Sequence, residues 1–585
     1  MRWFCGVIGG KEFTKETVIK AYEKYYGTVF VGECSEQNNY FNYVVLESDS
    51  TSEYILHKDG VTIAGDFGRI HLQERYQYEK KALVELYIDE GLNFLQKLSG
   101  TFSFVIYDSR INKVYLVRDQ FGLCQLFYYK EESKIYFANS LYLLKGKYAS
   151  NRISQSYLNK YVLNNGLLDF KETPYRDIYR VEAASYVEIC EGKEKFNEYW
   201  TIFNKVENGL ENWDYEKWKE CIERKLNYSI QKNISSKRSA LLLSGGLDSN
   251  VLLYYIIHNG KNIESYSAVF DKIKSSDERL YIDCTKEKYR EQKFEYVVSD
   301  NAGIFEKYPE SYFYTSEPHV NILNKALSEN IFEAIKNNNI KIAVDGFFAD
   351  HIFSGSPLYL IDLIRRFKFN CVNHGLSQYA QSVNKSIWDV LREELYPAFS
   401  KKNIYGILNS VMQENVRYMQ KIHCYNNMDM IIQIRSSLAR NFGDFELAPR
   451  YGIECIHPYV DVELVNLLYA IPGEYKSSRG KLKVILRDIA KGKVPQKIID
   501  RVVKTNHVEL SQNGLRKNWM MVFSNLKKGR ICELNFCDFT VKEWVQKLQD
   551  FRCGKIVDDN IWVLLSLEVW LCEIEKKYGK LIYEE

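Results

Sequence analysis

ALLLSGGLDSNV, Ala240 to Val251, joins a short apolar run to a tight loop and the start of a helical pattern. Ala240, Leu241, Leu242 and Leu243 predict a buried parallel strand, Ser244 to Ser249 a loop, and Asn250 to Ile257 a helix. Gly245 and Gly246 let the backbone approach an anion, and the loop and first helical turn direct unpaired N–H groups at it. A polyphosphate is the natural guest. Asp248 sits where a carboxylate could hold a divalent cation bridging that phosphate. Gly-Gly alone could mark any turn, but the whole string SGGLDS behind a four-residue apolar strand is far more specific.

With 585 residues, the chain is long enough for two or more domains, each with its own core. Apolar residues make up 46% and charged residues 26%, the balance of a soluble globular protein. A net charge of +3, from 79 basic and 76 acidic residues, advertises neither a nucleic-acid nor a membrane partner. The 13 cysteines are odd in number and scattered, and Cys532 and Cys537 lack a second pair to complete a zinc site. Reduced, mostly buried thiols and a cytoplasmic location are the simplest expectation. The opening MRWFCGVIGGKEF has too short an apolar stretch for a signal peptide. The late apolar segment Ile561 to Cys572 carries Glu568 and is too short to span a bilayer, which predicts a core helix.

Around the loop, two patterns divide the chain. From Met1 to about Tyr199 short runs (Tyr43–Leu46, Phe102–Tyr107, Val114–Val117, Leu126–Tyr129, Ile135–Ala138, Ser185–Ile189) predict strands separated by polar turns, with a helix around Lys80 to Leu98. That is a layered α+β domain, residues 1–203. The polar piece Asn204 to Asp214 reads as a linker. Residues 215–585 are mostly helical, interrupted by three buried-strand candidates, Ala240–Leu243, Ser265–Phe270 and Lys341–Val344, which predict an α/β domain with a parallel sheet and many helices.

The loop string resembles the pyrophosphate-binding (PP-loop) signature of the asparagine synthetase superfamily, and the rest of the chain extends the resemblance. LSGTFSFVIYD (98–108), VRDQFGLCQLFYY (117–129), FANSLYLL (137–144) and DIYRVEAASYVEI (177–189) are similar to the glutamine-hydrolysing, Ntn-type domain of that superfamily. In the second half DGFFADHIFSG (345–355), the Pro-aromatic-aliphatic-Asp run Pro458 to Asp461, GKLKVILRDIA (480–490) and VPQKIIDRVVK (494–504) follow in family order. The resemblance implies ATP cleaved to AMP and pyrophosphate. It implies a nucleotide site of Leu243, Ser244, Gly245, Gly246, Asp248 and Ser249, with Val269 beside the adenine and Gly346 near the α-phosphate. Mg2+ would be held by Asp248 and Asp350, and Lys483 would stabilise developing charge. Lys483 and Arg487, four apart, are expected on one helix face.

Departures from the family pattern narrow the reading. The family's catalytic cysteine uses its own free α-amine as base, yet Met1 to Phe4 precede Cys5, so the expectation is a buried structural thiol and an inactive glutaminase. The family's Asn-Gly-Glu corresponds here to Ala64, Gly65, Asp66, which should weaken glutamine capture. Phe347 stands where relatives carry a glutamate or tyrosine, and Ile456 where an arginine is usual. His351 is more easily a packed side chain than a base. Within the superfamily the chain looks most like a lasso-peptide macrolactam synthetase, which adenylates an Asp or Glu side chain of a precursor peptide for attack by the peptide's N-terminal amine. A peptide α-amine, with pKa about 7.7 to 8.0, needs little help to be neutral. The resemblance implies a leader-peptide protease and a leader-recognition protein as partners. The alternatives are an asparagine or β-lactam synthetase, and a non-catalytic nucleotide-binding scaffold.

Overall fold

A computed structural model describes residues 2–9, 19, 32–37, 41–47, 55–72, 82–148, 151–166, 170–202, 210–234, 237–306, 315–382, 385–396, 425–438, 442–478, 481–502, 504–526, 529–534, 540–555 and 560–584. In the first half two six-stranded sheets carry the chain. One runs in the order Ile178–Arg180, Phe127–Glu131, Lys134–Ala138, Arg2–Ile8, Phe41–Glu47, Gly32–Gln37. The other runs Lys193–Glu198, Ser185–Cys190, Lys113–Arg118, Leu98–Asp108, Val61–Leu72, Ile55–Lys58. Every neighbouring pair in both is antiparallel.

Burial on both faces explains the unbroken apolar run Phe104 to Tyr107 within the strand Leu98–Asp108. Phe102, Phe104 and Ile106 point into a core shared with the helix Ala82–Glu90, whereas Val105 points into a core that includes Phe4 and Phe137 of the other sheet. Both faces are therefore buried. Each such phenylalanine contributes about 1.5–3 kcal/mol through burial. The helix expected over Lys80 to Leu98 is shorter: Gly91, at φ +59°, ends it, a 3-10 segment Gly91–Lys97 follows, and Leu98 already begins the strand.

In the second half five parallel strands lie in the order Lys293–Val298, Ile263–Val269, Ser239–Leu242, Ile342–Val344, Glu454–Ile456. Three of these were expected from the apolar runs. Lys293–Val298 escapes because it is an edge strand whose apolar residues are interrupted by Lys293 and Glu295, and Glu454–Ile456 because three residues carry no period. Ser239–Leu242 is central, and successive connections leave it in opposite directions. Its carboxyl end is thus the topological switch point, where open α/β sheets form their crevice.

The expected linker is outside the described residues over 204–209. Leu210–Asn212 is a 3-10 turn, and Asp214 caps the helix Tyr215–Asn233 by accepting from the Lys217 amide at 2.8 Å. The expected core helix is Asn560–Tyr578. Its Glu568 is fully buried and accepts from the amides of Ile531, at 3.0 Å, and Arg530, at 3.3 Å. The chain then returns to its first half, since Ile582–Glu584 pairs parallel with Arg152–Ser154. Among the described residues no helix is long and apolar enough to cross a membrane. The ten cysteines described with side chains are free thiols.

Charged groups fill part of the seam between the halves. Arg180 donates to both oxygens of Glu317, at 2.6 and 2.7 Å, with the two side chains only 2% and 8% exposed. Beside them Glu446 accepts from the Ser316 amide and hydroxyl and from the Tyr142 hydroxyl. Burial raises the Glu446 carboxyl to about 7 despite those donors, and the charge of Glu317 adds to the rise. A raised acid binds its proton more tightly folded than unfolded, so its contribution is intact below its ordinary 4.5 and fades as pH climbs through 7. Glu446→Gln is expected to flatten the fall in unfolding free energy between those pH values, as read by denaturant titrations at pH 5, 6, 7 and 8. An unchanged slope would show that Glu446 does not titrate there.

Candidate active site at the carboxyl edge of the parallel sheet

Leu243 extends the central strand by one residue, its amide donating to the Tyr266 carbonyl at 2.9 Å while its side chain is buried. The chain then turns, and the helix Leu247–His258 starts with Gly246 as N-cap. Asn250, only 1% exposed, pins the turn by donating to the carbonyls of Ser244, at 3.0 Å, and Gly246, at 2.7 Å. Ser249 accepts from the Ser244 amide at 3.2 Å, and Ser244 from the Gly246 amide at 3.2 Å. The helix's positive end therefore faces the crevice with Asp248 in its first turn. Gly245 is required from behind: a β-carbon there would lie 2.7 Å from Arg501 and 2.8 Å from Tyr281. Arg501 donates to the Gly245 carbonyl at 2.8 Å and pairs with Glu278, which accepts from the Gly245 amide at 2.9 Å.

The second loop leaves the adjacent strand Ile342–Val344 and crosses the first at Gly346. A β-carbon on Gly346 would come within 3.2 Å of the Asp248 β-carbon and 3.4 Å of the Ser249 amide. Asp350 follows in the short helix Ala349–Phe353. The two acids, about a hundred residues apart in sequence, meet on one cation. Lys483 Nζ lies 2.7 and 2.5 Å from the carboxylate oxygens of Asp248 and 2.7 Å from Asp350 Oδ1. Lys504 approaches Asp350 Oδ2 at 2.6 Å from the solvent side.

Burial pulls both carboxyls upward, and the lysines oppose it with different success. For Asp248 burial wins over Lys483, helped by the charge of Asp350, and the carboxyl rises. For Asp350, more open, Lys483 and Lys504 outweigh burial and bring it down to about 2. Two hard carboxylates converging at a helix N-terminus match the donor set Mg2+ takes alongside phosphate and water. Among the described residues no cluster of three or more acid, histidine or cysteine side chains offers an all-protein metal cage. Two carboxylates supply part of an octahedral oxygen set and leave the remaining positions to phosphate and water.

Lys483 does not lie on the helix with Arg487. It precedes Val484–Ala490 as its N-cap, with φ 57°, and that left-handed turn aims the side chain into the crevice, leaving it 7% exposed. Arg487 instead reaches the carbonyls of Leu482, Ile499 and Arg501, tying down the segment behind the loop. Val269 ends the neighbouring strand, its side chain fully buried and its carbonyl accepting from the Ser299 amide at 2.9 Å. His351 packs against Phe347 and Phe348.

Several residues of the site take their roles from partners distant in the chain. His457 is held between Asp345 and Asp444, each 2.6 Å from one ring nitrogen. Burial opposes its charge, but the two carboxylates win and its pKa rises well above the ordinary range, giving an imidazolium. It sits next to Ile456, and its ring is 5.1 Å from that of Phe347. Tyr459 donates to the Asp248 carbonyl at 3.0 Å. Asp461 caps the helix Val462–Ala470 and pairs with Lys232, a structural role. Asn250, four residues past Gly246, could have been read from spacing, and Tyr459 and Asp461 belong to the Pro-aromatic-aliphatic-Asp run Pro458 to Asp461.

In the other half, the cysteine expected at the family's nucleophile position is closed off. Cys5 is fully buried mid-strand, paired on one side with Val44 and on the other with Ala138, and burial drives its thiol well above the usual range. Asp66 is buried against the Cys124 thiol, 3.9 Å away.

An asparagine synthase profile matches residues 222–571, and a glutamine amidotransferase domain profile matches residues 73–200. The chain is 20% identical over 596 aligned positions to asparagine synthetase [glutamine-hydrolyzing] 1 of Bacillus subtilis, covering 94% of this chain and 86% of that one. Asparagine synthetase [glutamine-hydrolyzing] 2 of the same organism is 27% identical over 191 residues, covering 30% and 25%. Amidase chry2 of Gibberella zeae is 21% identical over 375 residues, covering 61% and 52%.

Proposed function

The chain belongs to the asparagine synthase family of AMP-forming carbon–nitrogen ligases, and on that premise we propose that it closes a lactam within a ribosomal precursor peptide. The observation that carries the ligase chemistry is the convergence of Asp248 and Asp350 on Lys483. In this reading ATP lies with its phosphates against Ser244–Ser249 and the start of Leu247–His258, with Gly346 close by and Val269 toward the adenine. Asp248 and Asp350 would hold Mg2+, which would neutralise charge on the phosphates. An Asp or Glu side chain of the peptide attacks the α-phosphorus, pyrophosphate leaves, and Lys483 balances the charge that builds on the transferring group. The peptide's own N-terminal amine then attacks the acyl carbon, AMP leaves with the former carboxylate oxygen, and the amine loses a proton to solvent. Holding amine and acyl group together can remove several kcal/mol of the barrier.

The choice of nucleophile rests on the buried, neutral Cys5 and on the apolar Phe347 and Ile456 beside the crevice. A buried Cys5, with phenylalanine at 347 and isoleucine at 456 in place of the family's acid and arginine, suits a tethered amine better than free aspartate and ammonia. Residues 1–203 then act as an Ntn-type scaffold, 204–214 as linker, and 215–585 as the PP-loop synthetase domain. A leader-peptide protease and a leader-recognition protein deliver the precursor in the cytoplasm. A second reading, glutamine-dependent asparagine formation, is favoured by similarity along 94% of the chain.

The test incubates the protein with ATP, Mg2+ and the product of a short open reading frame encoded beside it. The expected result is a peptide lighter by one water that resists carboxypeptidase. Free asparagine made from glutamine and aspartate, with no change in any peptide, would replace this reading by the second.

A further inference from the structure

Phe348 is the strained point of the second loop. It caps the short helix bearing Asp350 with φ 80° and ψ −20°, left-handed values that a phenylalanine rarely adopts, yet it is 1% exposed and packed among its neighbours. One of those neighbours comes from the other half of the chain: the Phe121 ring meets it edge-on, with centroids 5.5 Å apart. Phe121 and Leu123 lie within the same apolar core as Leu243, Val344 and Ile352.

Phe121 is itself rigidly placed. It belongs to a tight turn in which Asp119, fully buried, accepts from the amides of Phe121, Leu123 and Cys124 at 2.8 to 3.0 Å. Arg118 fills the turn, donating to the carbonyls of Gly122, Cys124 and Val181. A β-carbon on Gly122 would strike that guanidinium at 2.8 Å. Trp200 closes the far side of the Phe121 ring, centroids 5.6 Å apart.

We propose that Phe121 is a positioning residue for the ligase reaction: the amidotransferase-like half uses it to hold Phe348 left-handed, and so sets Asp350 two residues on. The proposal rests on the ligase reading above. It explains mechanically what a half with a buried, neutral cysteine contributes. Without the Phe121 ring, Phe348 is free to relax to an ordinary conformation, which swings the first turn of Ala349–Phe353 and moves Asp350 off Lys483. Glycine at 348 adopts the left-handed turn without strain and needs no clamp.

The test compares wild type, Phe121→Ala, Phe121→Leu, Phe348→Gly and the Phe121→Ala/Phe348→Gly double variant. Amide hydrogen exchange over residues 346–353 is read on the free proteins, and MgATP affinity and apparent Mg2+ requirement are read by titration. Phe121→Ala is expected to speed exchange in that segment tenfold or more and to raise the Mg2+ requirement at least fivefold, with Phe121→Leu milder in both. In the Phe348→Gly background the same substitution should change the Mg2+ requirement less than twofold, a coupling that general destabilisation would not produce. Unchanged exchange over 346–353 in both Phe121 variants, or equal effects in the two backgrounds, overturns the proposal. Wild type that binds no MgATP overturns the ligase reading instead, and the exchange data still decide whether Phe121 clamps the loop.

Discussion

Lys483→Met is expected to lower ATP-dependent pyrophosphate release by about a hundredfold or more, the loss typical when a preorganised charge at a reacting centre is removed. The geometry explains the size. Lys483 is 7% exposed and touches both carboxylates at 2.5 to 2.7 Å, so its removal leaves Asp248 and Asp350 facing each other with only the exposed Lys504 on the outer oxygen of Asp350. Like charges at that separation drive protons onto one of them. The Asp350 carboxyl, now brought from 3.8 to about 2, should rise. In wild type the stability it gains from the lysines is whole above its ordinary value and is lost as pH falls toward 2; in the variant that loss moves to higher pH. Lys483→Arg keeps the charge but spreads it over a plane, and should recover only part of the rate. Turnover of Lys483→Met within tenfold of wild type would remove Lys483 from the chemistry.

Glu317→Ala carries the largest expected effect on stability, about 3–5 kcal/mol, the usual result of breaking a buried ion pair from one side. Arg180, 2% exposed, would keep its charge with Gln125 Oε1 at 2.7 Å as its remaining named acceptor, and the Tyr157 hydroxyl would lose the same carboxylate. Because the pair joins the two halves, the loss should appear first as separation of the halves, read by limited proteolysis and by a two-step denaturant transition. Arg180→Leu combined with Glu317→Leu should restore much of the stability, since no charge is then left buried without its partner. A single, unshifted transition for Glu317→Ala would mean that the seam holds by apolar packing alone.

Comparing sequence with structure, the strand-loop-helix at Ala240–Val251 was legible because its signals are local: four apolar residues, glycines and a helical period fix the conformation within one turn of chain. The same holds for the strands of the first half and for the buried C-terminal helix. Family resemblance named Asp350, Gly346 and Lys483 as well, but from sequence Lys483 belonged on a helix face, and the structure instead places it in a left-handed turn before the helix. Residues such as His457 and Glu278 follow no spacing rule, and although Tyr459 and Arg501 lie in runs that carry the resemblance, their contacts with Asp248 and Gly245 come only from the fold, because each acquires its role from a partner at least thirty residues away.

The sequence by itself determined most of the strands and helices, among them the strand, turn and helix at Ala240–Val251, since those choices depend on neighbours a few residues apart. Only the tertiary structure decided that two acids a hundred residues apart share one lysine and that a phenylalanine of the first half presses on the loop that follows Ile342–Val344. Such contacts depend on how the parallel sheet orders its strands and on which apolar faces are buried together, and neither is written in any single stretch of chain.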